Sequence, residues 1–254
     1  RKQTNAPNKF MGSGMLPAGA YVTLEHEYVL ILRKGGKREF DRPSEKEARR
    51  RSAIFWEERN LWYSDVWTDL KGARQQMLDK QMADKQVRAR SGAFPLELPY
   101  RLINMYSVAG DTVLDPFLGA GTTLFAAMAA ARNSIGFELE PDFARTIRDV
   151  AALATDAANR LISDRLARHA AFVGERQAAG KELKYESRFY GFPVMTRQET
   201  DICLFRPIQA DTESTDCFTV AYHTEPPASD RFEAKSPRPR QGRREGGSGP
   251  PGNQ

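Results

Sequence analysis

An α/β fold built on a parallel sheet is what this sequence predicts, and three observations carry the prediction. Residues 111–140 run in the order apolar strand, Gly-x-Gly loop, Ala-rich helix, second apolar strand. Parallel neighbours need a crossover of that kind, and a helix is the usual one. A helical pattern then continues from Pro141 to about Gly180. Finally, 254 residues with 40% hydrophobic and 28% charged side chains are enough for a sizeable core of ordinary composition. No stretch approaches the roughly 18 apolar residues needed to cross a bilayer. A basic-then-apolar leader is absent too, so secretion is not expected.

Along the chain, Asn5-Ala6-Pro7-Asn8 and Gly12-Ser13-Gly14 read as a loop of turn residues. Tyr21 to Arg33 surrounds an apolar Tyr28-Val29-Leu30-Ile31-Leu32 run with alternation, which predicts a strand long enough to lie inside a sheet. Ser44 and Glu47 stand at capping-box spacing and open a predicted helix over 44–60 that carries Arg49, Arg50 and Arg51. Phe55, Trp56, Trp62, Tyr63 and Trp67 crowd into the next positions. Large aromatics most often build a local core, and a stacking surface is the alternative. Lys71 to Arg90 reads as a charged helix or arm. Tyr100-Arg101-Leu102-Ile103 has helical spacing behind Pro95 and Pro99. Asp111–Phe117 and Ser134–Leu139 are the two predicted strands, with Thr122–Ala131 the helix between them. Residues 183–208 look strand-rich, and from Thr224 onward Pro, Gly, Ser and Arg predict disorder.

Two cysteines, Cys203 and Cys217, exclude a disulfide framework and a four-thiolate zinc site. They suit a reducing cytoplasm. Glu25-His26-Glu27 is metal-like in composition, but alternate strand residues point to opposite faces, so no metal is expected there. Charge is uneven: residues 1–110 carry 20 basic and 13 acidic side chains, residues 111–224 carry 12 and 16. A basic first half is what a polyanion partner would favour, with Arg49, Arg50 and Arg51 the first candidates for DNA contact. A solvated helix face is the competing explanation.

The chemistry concentrates in residues 111–140. Ligands of parallel α/β sheets bind beyond the carboxyl ends of strands. Gly119 and Gly121 allow close backbone approach, and Thr122 and Thr123 start a helix whose N–H groups and hydroxyls can hold an anion. Glu138, ending the second strand, is placed to accept from a ribose diol. A dehydrogenase fingerprint would need a third glycine where Leu124 stands. Asp115 at the first strand's tip suits an ammonium better than a pyrophosphate, which points to S-adenosylmethionine.

Asp111-Thr112-Val113-Leu114-Asp115-Pro116-Phe117-Leu118-Gly119-Ala120-Gly121-Thr122-Thr123 closely resembles the cofactor motif of amino-group DNA methyltransferases, the N4-cytosine and N6-adenine enzymes. Phe94-Pro95-Leu96-Glu97-Leu98-Pro99-Tyr100-Arg101-Leu102-Ile103 resembles the helix that closes over the methionine end in that family, and Ile135-Gly136-Phe137-Glu138 its ribose motif. Asn5 to Ser13 and Glu25 to Lys34 look like the family's stretch just after the catalytic motif. The order is the permuted one, catalytic half before cofactor half. The resemblance spans about residues 1–145, with Phe192-Pro193-Val194-Met195 a further fragment.

This resemblance implies a Rossmann-like, S-adenosylmethionine-dependent methyltransferase sheet, incomplete in this chain, with a helical insertion and a disordered tail. It implies the end of the catalytic half over 1–43, a helical and aromatic insertion (a candidate target-recognition segment) over 44–90 and the cofactor half over 91–180. A strand-rich appendage over 181–223 and the tail over 224–254 complete the division. The implied cofactor contacts are Phe94, Asp115, Pro116, Phe117, Gly119, Gly121, Thr122, Thr123 and Glu138. Double-stranded DNA is the implied partner, with a restriction endonuclease or a chain carrying the catalytic motif as further ones.

The sequence departs from the family in one place that matters. The catalytic tetrapeptide, Ser/Asp-Pro-Pro-Tyr or a close variant, is nowhere in it, and Pro226-Pro227 lies in the wrong context. Family order would put it upstream of Arg1, so the chain alone is expected to be inactive and its catalytic residues are not identified. No histidine precedes the closing helix, and Ala131 stands where a helix-ending glycine is common. Transfer to the N4 of cytosine is favoured over the N6 of adenine. An inactive or split subunit, and an enzyme acting on RNA, protein or a small molecule, are the alternatives.

Overall fold

The structure, a computed structural model, describes residues 2–3, 26–70, 94–214 and 216–232. β1 (Lys2–Gln3) pairs antiparallel with β2 (His26–Glu27). Among the described residues, α1 (Pro43–Arg51), α2 (Trp56–Trp62) and α3 (Glu97–Tyr106) follow in chain order. Next comes the β-α-β unit of β3 (Thr112–Asp115), α4 (Thr122–Ala129) and β4 (Asn133–Gly136). β3 and β4 are parallel, Thr112 opposite Asn133 and Asp115 opposite Gly136. α5 (Asp142–Ala178) is the longest element. β5 (Tyr185–Glu186) pairs with β6 (Pro193–Val194), and β7 (Pro207–Ser214) forms a hairpin with β8 (Cys217–Tyr222). Among the described residues the parallel sheet has two strands, so the Rossmann-like arrangement is present as its β-α-β unit. No described helix is both long and apolar enough to cross a membrane.

Two apolar clusters hold these elements. The first centres on α4, where seven residues are buried, Phe125 completely. A helix rich in alanine and apolar on all sides is a core helix, and its small side chains let neighbours approach closely. Trp62, Tyr100 and Ile103 close on it from α2 and α3, and Ala154, Ala157, Ala158 and Leu161 from α5. The second cluster joins Phe55 to Ile162 and Leu166 of α5 and to Phe189, Tyr190, Phe192, Val194, Ile202 and Leu204. Residues 189–204 therefore share a core with the segment before α2.

A buried ion pair links the clusters. Arg165 donates to Glu58 Oε1 and Oε2 at 2.7 and 2.6 Å and to the Tyr100 hydroxyl at 2.8 Å. Burial works against its charge, but Glu58 and Tyr100 outweigh burial and raise the guanidinium above its ordinary value. Nearby, both ring nitrogens of fully buried His169 face acceptors, Glu57 Oε1 at 2.9 Å and the Pro193 carbonyl at 3.1 Å.

Several sequence expectations are corrected. The strand predicted over 21–33 is reduced to β2 among its described residues. Tyr28, Leu30, Ile31 and Leu32 lie in an irregular stretch outside any described ladder, Leu32 89% exposed. The single helix over 44–60 is two. Its first cap uses Glu45, whose Oε2 accepts the N–H groups of Asp41 and Arg42, while Glu47 pairs with Arg50 and Arg51 instead. Between the helices the chain turns so that Phe55 enters the second cluster. Ser52 Oγ there accepts the Ala109 N–H at 2.8 Å, and Glu199 the Trp56 N–H at 2.8 Å. Of the aromatics, Phe55, Trp62 and Trp67 are core residues, whereas Tyr63 is exposed.

The second predicted strand stops at Gly136, leaving Phe137 and Leu139 outside it and exposed. Residues 183–208 are mostly irregular with two short strands, and the long strands lie over 207–222. The disorder predicted from Thr224 does not begin there. A 3-10 turn at Ala228–Asp230 is held by an ion pair from Asp230 to Arg206. The loop over 5–14, the arm over 71–90 and the remainder of the tail lie outside the described residues.

Candidate cofactor site

Backbone and carboxylate hydrogen bonds build one loop at the carboxyl ends of β3 and β4. The parallel ladder runs past β4, with Phe137 N donating to Asp115 O at 2.9 Å and Leu118 N to Phe137 O at 2.8 Å. Asp115 Oδ1 accepts the Phe117 N–H at 2.9 Å, which turns the chain out of the strand. Gly119 and Gly121 then adopt φ of +55° and +86°, a region that L side chains avoid. Gly121 caps α4, its carbonyl accepting the Phe125 N–H at 3.0 Å.

Glu138 ties the two strand ends together. Its Oε2 accepts the Gly119 N–H at 2.7 Å and its Oε1 the Glu140 N–H at 2.9 Å. Asp115 thus braces Phe117 and Glu138 braces Gly119, two positions of the same loop. Pro116 and Phe117 are exposed beside it, Phe117 by 87%. Thr122 and Thr123 are buried at the start of α4, so backbone N–H groups are what that end presents to a ligand. Phe94 is half-buried on the approach to α3, the helix that packs against α4.

Sequence reasoning overlooked how this loop is braced. A Cβ on Gly136 would meet the Leu118 side chain at 2.6 Å, so the bare glycine lets Leu118 lie across β4. A glycine inside a strand pattern is the usual sign of such an approach. An added Cβ at Gly119 meets nothing within 4 Å, so its surroundings are open.

The three arginines are separated by the fold. Arg50 pairs with Glu47 and Asp201, and Arg51 with Glu47. Arg49 has no carboxylate partner among the described residues and lies over the Phe40 ring, 4.9 Å from its centre.

A parallel β-α-β unit, a glycine loop opening onto a core helix and an acid at or just past the end of each strand define a Rossmann-like cofactor-binding protein. The DNA methylase family model (N6_N4_Mtase) matches residues 2–149, and the chain belongs to that family. It is 52% identical over 207 residues to the Type II methyltransferase M.MthZI of Methanothermobacter thermautotrophicus, covering 82% of this chain and 56% of that protein. It is 50% identical over 140 residues to M.MjaI of Methanocaldococcus jannaschii, covering 55% and 43%. The chain spans about half the length of these relatives. Among solved structures, one assigned as a DNA modification methylase from Thermus thermophilus is 31% identical, with a TM-score of 0.43 over 58% of this chain and 51% of that one.

The cofactor of this family is S-adenosyl-L-methionine, and the residues present fit it. Its ammonium and ribose diol are donors, and carboxylates close both strands. Its carboxylate is an acceptor, and α4 opens with backbone donors.

Proposed function

We propose that this chain is the cofactor-binding part of a DNA methyltransferase that transfers a methyl group to an exocyclic amine of a base, cytosine N4 in preference to adenine N6. The observation that carries the reading is that both strand-end acids brace one glycine loop, Asp115 Oδ1 accepting the Phe117 N–H and Glu138 Oε2 the Gly119 N–H. Bound there, S-adenosylmethionine supplies an electrophilic methyl group on a sulfonium. Asp115 holds the ammonium of the methionine end. Glu138 accepts from the ribose diol while keeping Gly119, since a carboxylate offers about four lone-pair sites. The α4 N-terminus, at Thr122 and Thr123, orients the carboxylate, and Pro116, Phe117 and Phe94 give apolar walls. Double-stranded DNA is the substrate in this reading, within a reducing cytoplasm, and a companion restriction endonuclease recognises the same site. The preference for cytosine rests on Asn5 to Ser13 and Glu25 to Lys34, which resemble such N4 enzymes.

One observation favours a need for further protein. Leu114, Ile135 and Phe137 on the β3–β4 unit are 61%, 52% and 62% exposed, so among the described residues nothing covers this apolar surface beside the loop. With no Ser/Asp-Pro-Pro-Tyr tetrapeptide in the sequence, we propose that the group accepting hydrogen bonds from the target amine comes from a segment that packs there. That segment lies in the same polypeptide or a second one. The test is transfer of a labelled methyl group from S-adenosylmethionine to plasmid DNA, with and without a segment carrying the tetrapeptide. Transfer only with the segment, recovered as N4-methylcytosine, is expected. Robust transfer by residues 1–254 alone would overturn the division of labour, and N6-methyladenine would overturn the base assignment.

A further inference from the structure

A cavity of about 620 Å³ opens at the other end of β3, lined from α1, α2 and the turn after α3. Ser107 and Val108 at its wall precede β3, whereas the cofactor loop follows it. A strand of this length separates the two by roughly 13 Å, at about 3.3 Å per residue.

The lining is strongly basic. Arg33, Lys37, Arg49 and Arg59 have no carboxylate partner among the described residues, while Arg38 is paired with Asp111 at 2.6 Å. The acid of the lining, Glu199, is buried and already accepts from Trp56 N, Thr196 N and Thr196 Oγ1 at 2.7–2.8 Å. Arg38 and Arg49 both lie over one ring, Phe40, at 4.7 and 4.9 Å. Asp111 already neutralises Arg38, so Arg49 is the guanidinium over this ring without a carboxylate partner among the described residues. Aromatic faces complete the wall: Trp56 is half-buried, and Tyr63 is 53% exposed beneath Arg59 at 5.5 Å.

Cations for phosphates beside partly exposed rings for bases form the combination that recognises an unpaired nucleic-acid strand. We propose that this cavity binds a single-stranded stretch of DNA, its phosphates on Arg49 and Arg59 and one unstacked base against Trp56 and Tyr63. The site rests on the DNA reading above and is distinct from the cofactor loop.

The intact chain is titrated with a labelled oligodeoxythymidine about twelve nucleotides long, within the range such grooves hold. Anisotropy and tryptophan fluorescence are followed across salt concentrations. Trp62 and Trp67 are buried, so a fluorescence change reports Trp56. The Arg49→Ala/Arg59→Ala variant is expected to lose at least tenfold in affinity. Its salt slope should fall by about 1.4, two phosphates at about 0.7 each. Arg49→Lys, which keeps the charge, should retain the slope, and Trp56→Phe should abolish the fluorescence change. Unchanged affinity and slope in the double variant would overturn the site. Displacement of the strand by tripolyphosphate at equal charge would show a simple anion cavity and overturn the stacking role. Calorimetry with S-adenosylmethionine separates the two proposals. Cofactor binding absent from the unmodified chain would sink the methyltransferase reading while leaving an arginine-dependent strand site standing.

Discussion

The two ends of the molecule's packing differ sharply. Around α5, Arg165, Glu58, Phe55 and Tyr190 are almost wholly buried, and the polar atoms of the Arg165 pair are satisfied. Around the cofactor loop, Phe117, Leu114 and Leu139 stand 61–96% exposed, and order comes from backbone and carboxylate hydrogen bonds. One region is held by exclusion of water and the other by turn chemistry. Substitutions should therefore act on stability in the first and on ligand affinity in the second.

The largest effect is expected at the buried pair. Glu58→Ala leaves the Arg165 charge without its partner and should cost about 3–5 kcal/mol in denaturant unfolding. A loss below about 1 kcal/mol would mean that the pair is hydrated. At the loop, Gly119→Val forces a β-branched residue into positive φ. S-adenosylmethionine affinity should fall at least tenfold, about 1.4 kcal/mol, by calorimetry on folded protein.

A smaller effect of opposite sign is expected where α4 ends. Ala131 has φ +56°, the positive-φ residue other than glycine among the described residues. Arg132 N donates to Ala127 O at 2.8 Å in the six-residue closure of a helix end that favours glycine. Ala131→Gly should raise stability by about 1 kcal/mol, seen as a higher denaturation midpoint. Asp69 should contribute less. Burial raises its carboxyl, but the Arg101 guanidinium outweighs burial and holds it below its ordinary value. A depressed folded value means that its contribution is present above about pH 4 and lost as pH falls through the folded value. The stability gap between the unmodified chain and Asp69→Asn should thus be constant from neutral pH to about 5 and shrink in acid. Smallest of all, Leu114→Ser on the uncovered face should change stability by less than about 0.5 kcal/mol. A larger loss would show that this face is packed in solution.

The β-α-β unit was legible because its signals are local: glycines flanking a turn, alanines through a helix, and acids at strand tips such as Asp115 and Glu138. What escaped depends on distant residues. Ser52 to Phe55 interrupts a good helical pattern because Phe55 packs on Ile162 and Phe192, and no local propensity records that. Thr122 and Thr123 read as ligand-facing hydroxyls, yet burial of α4 takes both inward. Arg49, Arg50 and Arg51 look equivalent in sequence, and only the placement of Glu47 and Asp201 separates them. The run Tyr28–Leu32 shows the converse. Its apolar, β-branched composition describes a strand, but a strand exists only where a neighbour accepts its hydrogen bonds.

α5 has one more consequence. Its 37 residues extend about 55 Å at 1.5 Å per residue. Leu161 belongs to the first apolar cluster and its neighbour Ile162 to the second. One rigid rod thus serves both clusters at adjacent positions, and neither can loosen without fraying the rod that the other needs. The described body should melt as a single cooperative unit. A calorimetric scan should show one peak with matching van't Hoff and calorimetric enthalpies.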